Sequence, residues 1–217
     1  MEVTFDLPMD ILRKGYENNE TQRLVISKLE ELYSKLRKTT PIHIDIEVPQ
    51  SYRMSLLAVA RKTINYIFAS RNDKFIVYAD IKYRDRGSGE IGVAITRASD
   101  YAPFDVTGKI MDFYIEMRPF SFWGKHKSEK IMFRKFFEGL SLIEGPFSVQ
   151  IEFGFAKYKE SIVRWKISYP DVDNCARGAL SNLYSKKIVS IKMRKINTTE
   201  DYIHIVLAKP KDEESER

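Results

Sequence analysis

One stretch of pattern occurs twice in this chain, and a repeat of that size limits the folds open to it more than any other feature. Thr40 to Val48 reads Thr-Pro-Ile-His-Ile-Asp-Ile-Glu-Val, and Gly145 to Phe153 reads Gly-Pro-Phe-Ser-Val-Gln-Ile-Glu-Phe. The proline, the glutamate and every alternate apolar residue coincide at an offset of 105. Ala60-Arg61 answers Ala176-Arg177 at an offset of 116, and from Ile76 to Arg97 the second copy follows ungapped at 112, ending at Lys209. A unit of about 100 residues is one small domain. The expectation is therefore two tandem modules paired inside one chain, an intrachain pseudo-dimer whose halves have diverged where function lies.

Each half reads strand, helix, strand, helix, hairpin. In the first, Val3 to Leu7 alternates apolar and polar residues and stops at Pro8, as a strand does. Glu20 to Lys38 sets Leu24, Ile26, Leu29, Leu32 and Leu36 on an apolar helical stripe. Ile42 to Val48 is a strand, Leu56 to Phe68 a helix, and Phe75 to Lys82 with Glu90 to Thr96 a hairpin. The second half repeats this with strand Phe113 to Met117, helix Ser128 to Leu142 and strand Phe147 to Phe155. Helix Asn174 to Tyr184 and a hairpin of Ile188 to Arg194 and Tyr202 to Ala208 follow. Mixed elements with antiparallel hairpins predict an α+β fold. The modules span 1–97 and 111–210, joined by a linker at 98–110, and a wholly polar tail at 211–217 is expected to be disordered.

At 43% hydrophobic residues over 217 positions the chain can bury a sizeable core. It has no apolar run near the length of a membrane span. Its first residues lack the basic and apolar regions of a signal peptide. One cysteine, Cys175, excludes an internal disulfide and suits a reducing interior, so a cytoplasmic protein is expected. The excess of 36 basic over 30 acidic residues, a net charge of +6, favours an anionic partner, nucleic acid first.

The chemistry concentrates in Tyr169-Pro-Asp-Val-Asp-Asn-Cys-Ala-Arg177. Asp171 and Asp173 stand two apart at the end of an extended segment, so their carboxylates can face one side. Asn174 opens the following helix as a cap, and Arg177 lies one turn beyond Asp173. Two neighbouring carboxylates call for a cation, and hard oxygen ligands suit Mg²⁺ or Mn²⁺. Such a metal can activate water against a phosphodiester, with the arginine holding a phosphate. The same residues also make ordinary turn and cap chemistry.

The order strand, basic loop, helix, strand, Pro-Asp-x-Asp-Asn helix, hairpin over residues 111–209 resembles the RusA family of Holliday junction resolvases. The most specific match is Pro170 to Arg177, and Ile188 to Lys195 resembles that family's strand ending in lysine. The resemblance implies a dimeric, Mg²⁺-dependent endonuclease of DNA recombination and repair acting on four-way junctions. It also implies a late acidic position just before the strand that starts at Ile188. Tyr184-Ser-Lys-Lys187 stands there, so the second copy lacks it. The first copy has the reverse defect, with Ser55 and Leu57 in place of the paired aspartates but Asp73, beside Asn72, at the late position. Two expectations stay open. Either Asp73 joins Asp171 and Asp173 as metal ligands in one composite site, or both copies have lost the chemistry and the protein is a DNA-binding or protein-interaction scaffold.

Further DNA-binding candidates are Lys125, Lys127 and Trp123, in the aromatic and basic loop after the first strand of copy two. The lysines can meet phosphate and the indole can stack on an exposed base. Lys186, Lys187, Lys192 and Arg194 form a second basic group, with Lys192 and Arg194 on one face of a strand, and Arg61 extends that surface from copy one. His43 and His204 read as packed or edge residues of strands.

Overall fold

A computed structural model describes residues 2–14, 20–35, 39–50, 55–68, 73–84, 89–98, 104, 107–138, 146–156, 165–180 and 188–210, with residues 13, 14 and 73 by backbone alone. The fold is mixed α+β. The first half contributes β1 (Glu2–Pro8), α1 (Ile11–Lys14), α2 (Glu20–Lys35), β2 (Ile42–Pro49), α3 (Leu56–Ile67), β3 (Ile76–Arg84) and β4 (Glu90–Arg97). The second contributes β5 (Lys109–Ile115), α4 (Lys127–Glu138), β6 (Phe147–Ala156), α5 (Val172–Leu180), β7 (Ile188–Thr198) and β8 (Tyr202–Ala208). All eight strands form one sheet in the order β1-β4-β2-β3-β7-β6-β8-β5.

The second four strands thus repeat the order of the first four, read outward from the β3–β7 contact, and the pairing repeats residue by residue. Ile42 lies beside Ile76 and His43 beside Tyr78, with a register shift between them; Phe147 lies beside Ile188 and Ser148 beside Ser190, with the same shift. Val3 opposite Ile95 and Leu7 opposite Ile91 correspond to Met111 opposite Leu207 and Ile115 opposite Ile203. Where the halves meet, β3 runs antiparallel to β7 with Asp80 opposite Lys192. Those two positions are themselves equivalents at the offset of 112, so Ala79 opposite Met193 mirrors Ile81 opposite Ile191.

Alternation explains which way the sheet faces. In β2, Ile42, Ile44, Ile46 and Val48 are buried while His43, Asp45 and Glu47 are only half-buried, because successive side chains point to opposite faces. The buried set joins Ala79, Ile81, Ile191, Met193 and the apolar residues of α3 and α5 in one core that runs through both halves. The helices share that face: α3 packs on α1, α2 and α5, and α5 on α4. The opposite face carries the polar set.

Several sequence-based expectations need correction. Neither expected hairpin forms: β2 lies between β3 and β4, and β6 between β7 and β8. The helix after β2 or β6 carries the chain across so that the next strand runs parallel to it, and the last strand of the half pairs antiparallel on its other side. In α2 the buried stripe is Val25, Leu29 and Leu32, while Leu24 and Ile26 are exposed. Positions 25, 29 and 32 follow the helical period, whereas 24 and 26 sit about 100° to either side of it; Leu36 lies outside the described residues. The linker ends two residues earlier than expected, since β5 begins at Lys109, opposite Ala208. The helix after Pro170 starts at Val172, so Asn174 falls inside its first turn and is not the opening residue. Ser55 does cap α3, its side chain accepting the Ala58 amide at 3.3 Å, the usual use of a serine at that place.

Ile81 is fully buried at the seam, where β3 and β7 join the halves. Ile81→Ala is expected to cost about 2–5 kcal/mol. Urea unfolding followed by both far-ultraviolet dichroism and tryptophan emission should remain one transition, shifted equally in both signals, because the core is continuous across the seam.

Candidate nucleic-acid interface

The polar face of the sheet balances its own charge. Arg84 meets Glu47 at 2.9 Å, Lys192 meets Asp80 at 3.5 Å and His204 meets Asp112 at 2.7 Å. His43 lies 3.3 Å from Asp45 and stacks on Tyr78 at 4.1 Å between centroids, so both strand histidines are packed, as read from the sequence. Burial raises the Asp80 carboxyl above its ordinary value, and Lys192 opposes that shift. Arg194 is buried against Glu152, which also accepts the Tyr202 hydroxyl at 2.7 Å, and Phe104 lies over the guanidinium at 4.1 Å. Lys192 and Arg194 do share a face, but that face turns away from the helices, and Arg194 is engaged within it. Lys186 and Lys187 lie outside the described residues.

The helical face differs. The loop between β5 and α4 lies against α5, and Gly178 permits the approach. A Cβ there would meet the Phe120 ring at 3.0 Å and the Phe120 carbonyl oxygen at 3.1 Å. The Phe122 amide donates to the Asn174 carbonyl at 3.2 Å, and the Gly124 amide to the Ser121 carbonyl at 3.0 Å. The Trp123 amide donates to Ser121 Oγ at 3.3 Å, and Lys130 Nζ donates to the Phe122 and Gly124 carbonyls. This loop holds Trp123 out at 66% exposure. Lys125 and Lys127 beside it are exposed as well.

Two arginines reach that indole from different halves. Arg177 of α5 lies with its guanidinium carbon 5.0 Å from the Trp123 centroid and 3.9 Å from that of Phe122; Arg61 of α3 lies 5.1 Å from Trp123. They stand at matching places in α3 and α5, each after an alanine, and are brought side by side because α3 packs on α5. Arg61 does not extend the Lys192 and Arg194 surface, as its sequence position suggests; it stands on the other side of the sheet, with Arg177.

The motif carboxylates lie beneath. Asp171 and Asp173 are each only 3% exposed. Asp173 is in the first turn of α5, so the pair is separated by a helix entry and not by an extended segment; acidic groups there favour the helix N-terminus. Lys195 of β7 is wholly buried, and its Nζ donates to the Ser168 and Pro170 carbonyls at 2.8 and 3.0 Å. Burial pushes that ammonium down to about 8, with Cys175, Asp171 and Asp173 acting against the shift. Cys175 is a buried thiol raised by desolvation and packs as a small core residue.

Asp171 also connects to the surface. Asn174 Nδ2 donates to Asp171 Oδ2 at 3.2 Å, and Asn174 Oδ1 accepts from Arg61 Nη1 at 3.2 Å. A carboxylate accepts and a guanidinium donates, so only one orientation of the amide satisfies both. The buried acid thereby orients an arginine that belongs to the other half.

Asp73 stands in a 3-10 turn, Asp73–Phe75, leading into β3. Because β3 is antiparallel to β7, that turn lies toward the end of the sheet where β7 finishes, the end nearer Lys195. Among the described residues no three His, Cys, Asp or Glu side chains gather to hold a metal. Two buried carboxylates beside a lysine ammonium do not by themselves fit Mg²⁺, which keeps several waters in an octahedral shell. Among the described residues no helix is long and apolar enough to cross a membrane. Comparison with family models, with curated proteins and with solved structures finds no match to this chain.

Gly178→Ala is expected to lower stability although alanine gains about 1 kcal/mol of helix propensity, since both the ring and the carbonyl of buried Phe120 would have to shift by a few tenths of an ångström; thermal unfolding together with a shift of Trp123 emission checks this. Lys195 gives a pH dependence. Its folded value of about 8 lies below the unfolded 10.5, so between these values the unfolded chain holds a proton that the folded chain has lost. Stability relative to Lys195→Met should therefore be flat below about pH 8 and rise above it, by at most about 1.4 kcal/mol per pH unit. Urea titrations of both proteins from neutral to alkaline pH measure the difference.

Proposed function

We propose that the chain is a RusA-like pseudo-dimer in a single polypeptide that holds branched DNA on its helical face, at the seam between its halves. What supports the pseudo-dimer is the repeated strand register, centred on the equivalent residues Asp80 and Lys192. A symmetric pair of identical subunits would place residue i of one against residue j of the other in this reciprocal way. The observation that carries the binding reading is the exposed Trp123 with Arg61 and Arg177, one from each half, about it. Guanidinium groups suit phosphate, an open indole suits a base, and Lys125 and Lys127 extend the positive rim.

In this reading Asp171 and Asp173 serve the interior, as counter-charges to Lys195 and as the support of Asn174 and Arg61. A second reading keeps the nuclease. The approach of the Asp73 turn toward the Lys195 end of β7 favours it, with Asp73 completing the acidic set for Mg²⁺ or Mn²⁺. A single composite site would then nick once per binding event.

Gel shift and cleavage of a labelled four-way junction, in chelator and in Mg²⁺ or Mn²⁺, test both. The expected result is salt-dependent binding, with the logarithmic salt slope reduced by about 1 for each of Arg61→Ala and Arg177→Ala, and no cutting. Metal-dependent nicking lost in both Asp171→Asn and Asp73→Asn would establish the second reading. An unchanged slope in both arginine variants would remove the helical face from the interface.

A further inference from the structure

We infer that Trp123, Arg61 and Arg177 form a site for one unpaired nucleotide, its base on the indole and its phosphates on the guanidinium groups; this rests on the DNA-binding reading above. The two tryptophans of the chain are treated oppositely. Trp165 is 7% exposed and packs with Val77, Ala98 and Ile196, while Trp123 stands 66% exposed. An indole normally contributes by burying its large apolar area; this one keeps most of its area exposed although Arg61, Arg177 and Phe122 lie against it, which leaves surface for a planar partner.

The presentation is rigid. Lys130 ties the loop through two carbonyls and lies 4.8 Å from the Phe122 ring, and the Phe122 amide is bonded to α5. A ring held in its bound position loses little freedom when a ligand arrives. The cations are also placed in advance, Arg61 by Asn174 and Arg177 by its stack on Phe122. A planar π surface with two guanidinium groups at about 5 Å, one from each half, matches a base with its phosphates close by. An acidic peptide would use the charges but leave the indole open.

Bases inside a duplex are already stacked on their neighbours, so this site discriminates against plain duplex. It favours DNA with a base that can leave the stack, such as a single strand, a bulge or the open centre of a junction. Because Arg61 and Arg177 converge on the same ring, one such nucleotide is bound per chain, although the chain carries the repeat twice.

Tryptophan emission of the full chain, titrated with a short thymidine oligonucleotide, an abasic strand of equal phosphate number, a closed duplex and poly-glutamate, tests this. Trp123→Ala supplies the Trp165 background and, as an exposed position, should fold normally. The expected outcome is quenching of the Trp123 signal by the thymidine strand at one equivalent. That strand should bind about 5- to 150-fold more tightly than the abasic one, a preference absent in Trp123→Ala. If wild type and Trp123→Ala bind every DNA equally well, with ordinary salt dependence, the nucleotide site is refuted while the DNA-binding reading stands. If no DNA binds, or poly-glutamate binds as well as DNA, both are refuted.

Discussion

Everything distinctive about this protein depends on one backbone pairing, that of β3 with β7 in the register that sets Asp80 opposite Lys192. Ile81 against Ile191 and Ala79 against Met193 bury the core side of that seam, and the Lys192–Asp80 ion pair lies on the other. A slip of one residue would turn the isoleucines to the polar face and the charges into the core, so the register is strongly specified. Once it is set, α3 of one half must lie against α5 of the other. The approach of Arg61 to Asn174 and Trp123 follows from that contact.

The same alternation sorts the charged residues into two populations with different fates. On the polar face Glu47 has Arg84 beside it, Asp80 has Lys192, Asp112 has His204 and Glu152 has Arg194. Arg194 is so enclosed that its guanidinium lies under Phe104. On the helical face the positive groups gather round an exposed ring. A basic residue is a poor guide to an anionic ligand until its side of the sheet is known, which separates Lys192 and Arg194 from Arg61 and Arg177.

The acidic motif is best understood through its burial. Asp171 and Asp173 lie inside with Lys195 near them, and removing one partner of such an arrangement leaves a charge uncompensated in the interior. Asp171 has a further consequence, since through Asn174 it fixes which way the amide offers its oxygen to Arg61. A residue pattern that suggests chemistry can therefore be held in place by architecture, and the proposed function of this chain assigns it that role.

The sequence by itself determined the elements and their repetition. Alternating apolar residues in Ile42 to Val48 and Phe147 to Phe155 mark strands because a pleated chain exposes successive side chains to opposite environments. The offsets of 105 and 112 predict pairings that recur in the sheet. Local pattern failed where the choice was between adjacent residues, as with Val25 against Leu24 and Ile26 in α2, or Val172 against Asn174 at the start of α5. Only the tertiary structure decided which half neighbours which, that Lys192 and Trp123 stand on opposite faces, and that two arginines 116 residues apart share one indole. The physical reason is that periodicity reports only the difference between inside and outside. Partners across a seam are chosen by strand register and by close approaches such as that of Gly178 to Phe120, which arise when the chain has closed on itself.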